Sequence, residues 1–341
     1  MSFRVYVAGI AAFACSWALT WWVRKFAIRH RMIDTPNIRS SHSTPVPRGG
    51  GLAVVVASSA SVAALTAVGI LDARLALAIL GGGLPVAWIG FKDDRGSVSA
   101  RLRLCVHALA AVWTMYVLGG LPPLQVGERI FDLGVAGDVL GTLAIVWTLN
   151  LFNFMDGIDG IAASEAVIVA GFGGGICAVI SGTLAVPAGS LTLAAASAGF
   201  LLWNWPAAKI FMGDVGSGYL GFEIAVLAIA SGRDSPVAPF VWLILGAVFF
   251  ADSLVTLIRR LARGERIYEA HRSHAYQVLA RRWSHRTVTI AVILTNLLVL
   301  IPLAWTAATH PAWAAAITGS VLVVLAVAVL VLGKERDNGQ L

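Results

Sequence analysis

The chain has 341 residues, of which 58% are hydrophobic and only 13% charged, with a mean hydropathy of +0.81. Soluble domains carry about 25% charged residues, so this composition excludes a soluble enzyme and specifies a chain that crosses a membrane many times. The net charge of +7 is read from where the basic residues fall, which is on one membrane face and not in a nucleic-acid patch.

A spanning helix takes about 20 mostly apolar residues. In chain order the spans are expected at 5–23, 51–70, 76–91, 104–120, 138–155, 161–181, 184–203, 218–231, 237–258, 287–307 and 313–333. The fold class expected is therefore all-α, a polytopic helical bundle of ten or eleven spans formed by residues 1–341 as a single domain. Glycine runs inside two spans, Gly81-Gly82-Gly83 and Gly173-Gly174-Gly175, suit close helix packing. Cys15, Cys105 and Cys177 all lie in apolar runs without metal-like spacing and suggest no disulfide framework.

Connections 24–50, 92–103, 155–160, 204–217 and 259–286, with the tail 334–341, hold 21 of the 25 Lys and Arg residues. The opposite set keeps Arg4, Arg74, Arg129 and Arg233. By the positive-inside rule the first set is cytoplasmic, with the N-terminus outside and the C-terminus inside. Arg24 and Lys25 follow the first span, which suits an uncleaved anchor. Every compact polar cluster falls on the cytoplasmic side.

The loop 34–51 (DTPNIRSSHSTPVPRGGG) is broken by Pro36, Pro45 and Pro47 and carries Arg39, His42 and Arg48 beside a glycine triplet. Basic groups beside a glycine triplet suit phosphate binding, while ordinary positive-inside charge is an equally good explanation for Arg24, Lys25, Arg29 and Arg31. Phe91-Lys92-Asp93-Asp94-Arg95 closes the third span with adjacent carboxylates, either a polar helix end or a magnesium neighbourhood or general base. The stretch 150–162 (NLFNFMDGIDGIA) spaces Asn150, Asn153, Asp156 and Asp159 at three-residue intervals. A carboxylate at mid-bilayer costs roughly 2.5–3.5 kcal/mol, so these groups belong at the water boundary or hold something positive.

Asp214, in FMGDVGS, opens the eighth span, where hard-cation ligation and backbone N–H groups for phosphate can combine. Gly216, Gly218 and Gly221 formally fit a dinucleotide-binding fingerprint, but no strand precedes them and the reading is rejected. In ERIYEAHRSHAYQ, His271 and His274 lack a third zinc ligand nearby and fit better as hydrogen-bonding or protonated groups facing a phosphate. Asp252 and Glu165 could face the site, whereas Glu223 reads as a buried hydrogen-bonded group. A transporter is the rival reading, but it would place ionisable groups near mid-membrane on several helices.

Five ordered segments, DTPNIRSSH…PVPRGGG, GFKDD, NLFNFMDGIDG, WNWPAAKIFMGDVGSG and EAHRSHAYQ, together resemble the polyprenyl-phosphate N-acetylhexosaminyl-1-phosphate transferases of glycosyltransferase family 4. The resemblance spans about residues 34–280. It implies a catalytic acidic pair at Asp93 and Asp94, with Asp93 activating the lipid phosphate, and catalytic histidines at His271 and His274. It implies Mg²⁺ at Asp214 and Asn153, with Mn²⁺ able to substitute. Substrate contacts are expected from Arg39, His42, Arg48, Asn150, Asp156, Asp159, Asn204, Phe211 and Arg272. The implied partners are undecaprenyl phosphate, a UDP-N-acetylhexosamine and inner-membrane lipids, with a homodimer left open and no nucleic acid. His271-Arg272-Ser273-His274 replaces the three consecutive histidines of the peptidoglycan member, and Arg39-Ser40 replaces a basic pair, so a muramoyl-pentapeptide substrate is disfavoured. The SHAYQ form is similar to the subgroup that initiates O-antigen and other surface polysaccharides at the bacterial inner membrane.

Overall fold

The computed structural model describes residues 2–36, 44–265 and 273–333. Helix α1 (Phe3–Arg29) is followed by a short hairpin of β1 (Ile33–Asp34) and β2 (Val46–Pro47), then by α2 (Gly51–Ala67), α3 (Ala73–Arg95) and α4 (Ala100–Leu118). A second hairpin, β3 (Leu124–Val126) with β4 (Arg129–Phe131), occupies the next connection. The bundle continues with α5 (Gly134–Met155), α6 (Ile161–Ser181), α7 (Ala185–Asn204), α8 (Asp214–Asp234), α9 (Ala238–Leu245) and α10 (Ala247–Ala262). It closes with α11 (Ala275–Arg282), α12 (His285–Thr295), α13 (Ile301–Thr309) and α14 (Ala314–Leu332).

Among the described residues nine helical segments are long and apolar enough to cross a membrane, or ten if the bent pair α9–α10 counts as one span. The 17-residue α2 is the shorter apolar helix at the second expected position. The polytopic all-α expectation is thus met, and two spans differ in detail. The ninth, expected as one helix over 237–258, bends by 69° at Gly246 between α9 and α10. The tenth carries a π turn at Asn296–Leu300, where the Asn296 amide donates to the Val292 carbonyl and competes with the regular ladder.

Helix starts are fixed locally. Asp72, Ser99 and Ser284 each accept a backbone N–H from the first turn of α3, α4 and α12. The core is organised non-locally around α8, whose apolar stretch is 94% buried, well above any other span. It packs against α2, α3, α5, α7 and α9. Two of the three glycines that imitate a nucleotide fingerprint serve this packing. A side chain at Gly216 would strike Gly51 of α2, and one at Gly221 would strike the Thr148 carbonyl of α5. Glu223 is fully buried and accepts the Ser58 hydroxyl, as a structural acid should. No disulfide joins the three cysteines, which are all free.

Candidate active site

Alternating helix directions bring the C-terminal ends of α3, α5 and α7 together with the N-terminal ends of α2, α8 and α12. At that end lies a cavity of about 290 Å³ walled by Arg48, Asp94, Asn153, Asp156, Asp159, Asn204, Phe211 and Asp214, with Asp34, Gln277 and His285 completing it. These residues come from all five ordered motif segments and from the start of α12.

The acidic pair sits in the last turn of α3, which runs on to Arg95 past the expected boundary. Gly90 allows it to reach α8, because a Cβ there would lie 2.5 Å from the Asp214 carbonyl oxygen. The two carboxylates then do different work. Asp94, only 3% exposed, accepts the backbone N–H of Asp214 at 3.0 Å and of Val215 at 3.1 Å. It caps α8, where unpaired N–H groups and the helix dipole favour a negative charge. Gly213, at φ +77°, leaves room for that carboxylate. Asp93 accepts the Val98 N–H at 2.7 Å and Arg103 Nη1 at 2.8 Å, and the same Nη1 donates to Asp214 Oδ2 at 2.8 Å. Arg48 lines the cavity but directs Nε and Nη2 to the Asp94 carbonyl, at 2.9 and 2.6 Å, closing the end of α3.

The segment 150–162 is divided by the end of α5 at Met155. Asn150 returns its amide to the Val146 carbonyl at 2.7 Å and does not line the cavity. Asn153 donates to Ser217 Oγ at 3.1 Å and also bonds the Asp214 carboxylate. Beyond the helix, Asp156 to Asp159 form one continuous wall. Asp159 accepts the Ala208 N–H at 3.1 Å and stands 3.3 Å from His285 Nδ1. Asn204 accepts from Gly160 N and donates to Ile210 O, both at 3.0 Å, stapling this wall to the turn that carries Phe211. Phe211 is fixed through its backbone, which pairs with Pro47 O and Gly50 N.

His274 is 3% exposed, lies outside the cavity wall and holds Asp252 at 3.2 Å. Asp252 in turn accepts the N–H groups of Ala275 and Tyr276 at 3.0 and 2.9 Å, capping α11 as Asp94 caps α8. Neither Asp252 nor Glu165 faces the cavity, and Glu165 is buried against the Asn296 amide at 2.8 Å. Arg39, His42, His271 and Arg272 lie outside the described residues.

Four residues not singled out in the sequence join the site: Asp34, Gln277 and His285 in the cavity wall and Arg103 beside it. Arg103 counted only as one inside-facing charge, although its place in the first turn of α4 puts it at the same bundle end as Asp93. Gln277 is 8% exposed, and its Oε1 has no hydrogen-bond partner among the described residues.

Among the described residues five carboxylates line the cavity, those of Asp34, Asp94, Asp156, Asp159 and Asp214, against the guanidinium of Arg48 in the wall and that of Arg103, which pairs with Asp214 from beside it. Asp156 keeps some surface open to the cavity but lies deep in the protein. Burial, and then the negative charges of Asp214, Asp94 and Asp159, push its carboxyl well above the ordinary carboxylate range. Such an imbalance calls for a cation, and the oxygen donors suit a hard divalent one. Among the described residues no three acidic or histidine side chains converge into a ready metal cage. The donors nearest to one are Asp214 and Asn153, with Asp93 beside them and the Arg103 nitrogen between the two carboxylates. The residues therefore fit a cation that completes its shell with water and substrate oxygens, as Mg²⁺ commonly does.

A multi-pass membrane bundle with an acidic cavity at one end is the class that fold and site define. The sequence profile of glycosyl transferase family 4 matches residues 76–232. The chain is 32% identical to the probable undecaprenyl-phosphate N-acetylglucosaminyl 1-phosphate transferase of Bacillus subtilis, over 85% of this chain and 82% of that protein. It is 30% identical to the decaprenyl-phosphate N-acetylglucosaminephosphotransferase of Mycolicibacterium smegmatis, over 98% and 90%. The undecaprenyl-phosphate alpha-N-acetylglucosaminyl 1-phosphate transferase of Escherichia coli K12 is 28% identical over 80% and 75%. The chain belongs to glycosyl transferase family 4, among the polyprenyl-phosphate N-acetylhexosamine-1-phosphate transferases.

Proposed function

We propose that this protein transfers N-acetylhexosamine 1-phosphate from a UDP-sugar to undecaprenyl phosphate, releasing UMP, as the first membrane step of a surface polysaccharide such as O-antigen. The reaction joins two anions. An oxygen of the lipid phosphate attacks the β-phosphorus of the nucleotide sugar, the new P–O bond forms, and the bond to the α-phosphate breaks with UMP leaving. The reading is carried by one observation: residues from five separated motifs meet on one cavity whose charge imbalance demands a cation.

In this reading Asp214 and Asn153 would hold Mg²⁺, or Mn²⁺ in its place, and the ion would supply positive charge to offset that of the phosphates. Asp93 and Arg103 stand outside the cavity wall beside Asp214 and would reach the reacting phosphates from there, while Asp94 positions Asp214 through the start of α8. Asp156, Asp159, Asn204 and Phe211 form the nucleotide end. The cavity end carries the excess of Lys and Arg, which suits the cytoplasmic face of the inner membrane, where a soluble nucleotide sugar is supplied.

The test is incubation of the purified protein with undecaprenyl phosphate, Mg²⁺ and a panel of UDP-N-acetylhexosamines. Release of UMP with formation of a lipid-diphosphate sugar is the expected result. Absence of UMP with every donor overturns the reading. Chelation is expected to abolish turnover and added Mg²⁺ or Mn²⁺ to restore it, whereas full turnover after chelation removes the metal from the proposal.

A further inference from the structure

We infer that Arg103 is a built-in counter-cation that holds the place of the divalent ion between Asp93 and Asp214 and gives it up when the ion and a diphosphate arrive together. This rests on the metal reading above. One guanidinium nitrogen, Nη1, lies 2.8 Å from Asp93 Oδ2 and 2.8 Å from Asp214 Oδ2. Among the described residues every hydrogen bond of this side chain goes to those two carboxylates. Two carboxylates this close repel unless a positive charge stands between them, and here that charge comes from the chain itself.

The geometry lets the arginine leave without loosening what it leaves behind. Its side chain is 31% exposed, on the first turn of α4, so the guanidinium has room to turn outward. Asp93 stays tied through its other oxygen to the Val98 N–H, and the Asp214 backbone stays tied to buried Asp94. With Asn153 bonding the Asp214 carboxylate, the two carboxylates are thus held by contacts independent of Arg103. A tethered cation at the seat competes with a free one and weakens metal binding to the empty enzyme. A diphosphate changes the balance, since its oxygens add ligands to the ion and offer the displaced, planar guanidinium a bidentate partner. Arg103 is a positioning residue in this sense: it couples metal binding to the arrival of a phosphate substrate.

The experiment is a Mn²⁺ titration followed by electron paramagnetic resonance, with and without UDP, on the detergent-purified full chain and on Arg103→Gln, Arg103→Lys and Asp214→Asn. Without UDP, Arg103→Gln should bind Mn²⁺ at least about tenfold more tightly than wild type, and Arg103→Lys should resemble wild type. UDP should tighten Mn²⁺ binding more in wild type than in Arg103→Gln. Asp214→Asn should lose the site in every background. If Arg103→Gln binds Mn²⁺ no more tightly than wild type while Asp214→Asn abolishes binding, the counter-cation role is overturned and the metal reading stands. If neither wild type nor Arg103→Gln binds Mn²⁺ even with UDP, the metal reading fails and the inference fails with it.

Discussion

The two ends of the bundle each hold a cavity with charged groups in its wall, and the contrast between them shows what makes a site. The cavity at the far end is the larger, about 410 Å³ against 290 Å³, and it too is lined by charged groups, Asp72, Arg74, Arg233 and Asp234. There the charges balance. Asp72 caps its own helix, Asp234 accepts the Thr183 hydroxyl, and Arg233 reaches the Gly120 carbonyl. At the other end, among the described residues, five carboxylates line the cavity against Arg48 with Arg103 beside it, and burial, then the charges of Asp214, Asp94 and Asp159, pushes the Asp156 carboxyl well above the ordinary range. Volume does not distinguish the ends, whereas unbalanced charge held in place by buried contacts does.

The sharpest way to break this comparison is to neutralise one acid at each end. Asp214→Asn is expected to cut UMP release by about a hundredfold to a thousandfold, as for loss of a main electrostatic partner of a transferred group. Asp234→Asn should change it by no more than about twofold, the range of ordinary surface substitutions. Comparable losses for both would make the two ends equivalent and dissolve the assignment. The measurement is turnover at saturating substrates with folding checked by size-exclusion chromatography.

A second comparison lies within the active end and its surroundings. Asp94 and Asp252 both use a buried carboxylate to cap a neighbouring helix, but only Asp94 caps the helix that presents Asp214. Asp94→Ala and Asp252→Ala should each lose about 2–3 kcal/mol of stability, the scale of charge-assisted hydrogen bonds. Thermal unfolding in detergent measures that loss. Turnover below the melting transition should fall much further for Asp94→Ala, and equal falls would show that capping α8 does nothing particular for the site.

Gly90→Ala should cost about 1–3 kcal/mol by forcing α3 away from α8. It should also lower turnover by separating Asp93 from Asp214. An unchanged rate in the folded variant would mean that this close approach serves packing alone. The smallest effect is expected at Gln277, a residue of the cavity wall whose buried Oε1 has no hydrogen-bond partner among the described residues. Gln277→Leu should raise KM for the UDP-sugar by about threefold to tenfold, the worth of one neutral hydrogen bond, while kcat changes less. An unaltered KM would assign Gln277 to the scaffold.

The sequence by itself determined the class of fold, the approximate place of the spans, the side on which the polar segments gather and the family of the chain. Apolar stretches of bilayer length and one-sided basic loops are local signals, and the ordered motifs are legible as written. Helix contacts across the bundle decided the rest. His274 and Asn150 looked equivalent to Asp156 in the linear text, yet one is locked to Asp252 and the other to its own helix, while Arg103 and Gln277 entered unannounced. Glycines set these meetings by letting α3, α2 and α5 press against α8. A hydrophobic pattern shows that a segment is buried, but not which residue a hundred positions away will share its crossing. The partner of each polar atom, and so the division of the acids into those that clasp and those that face substrate, exists only once the helices have packed.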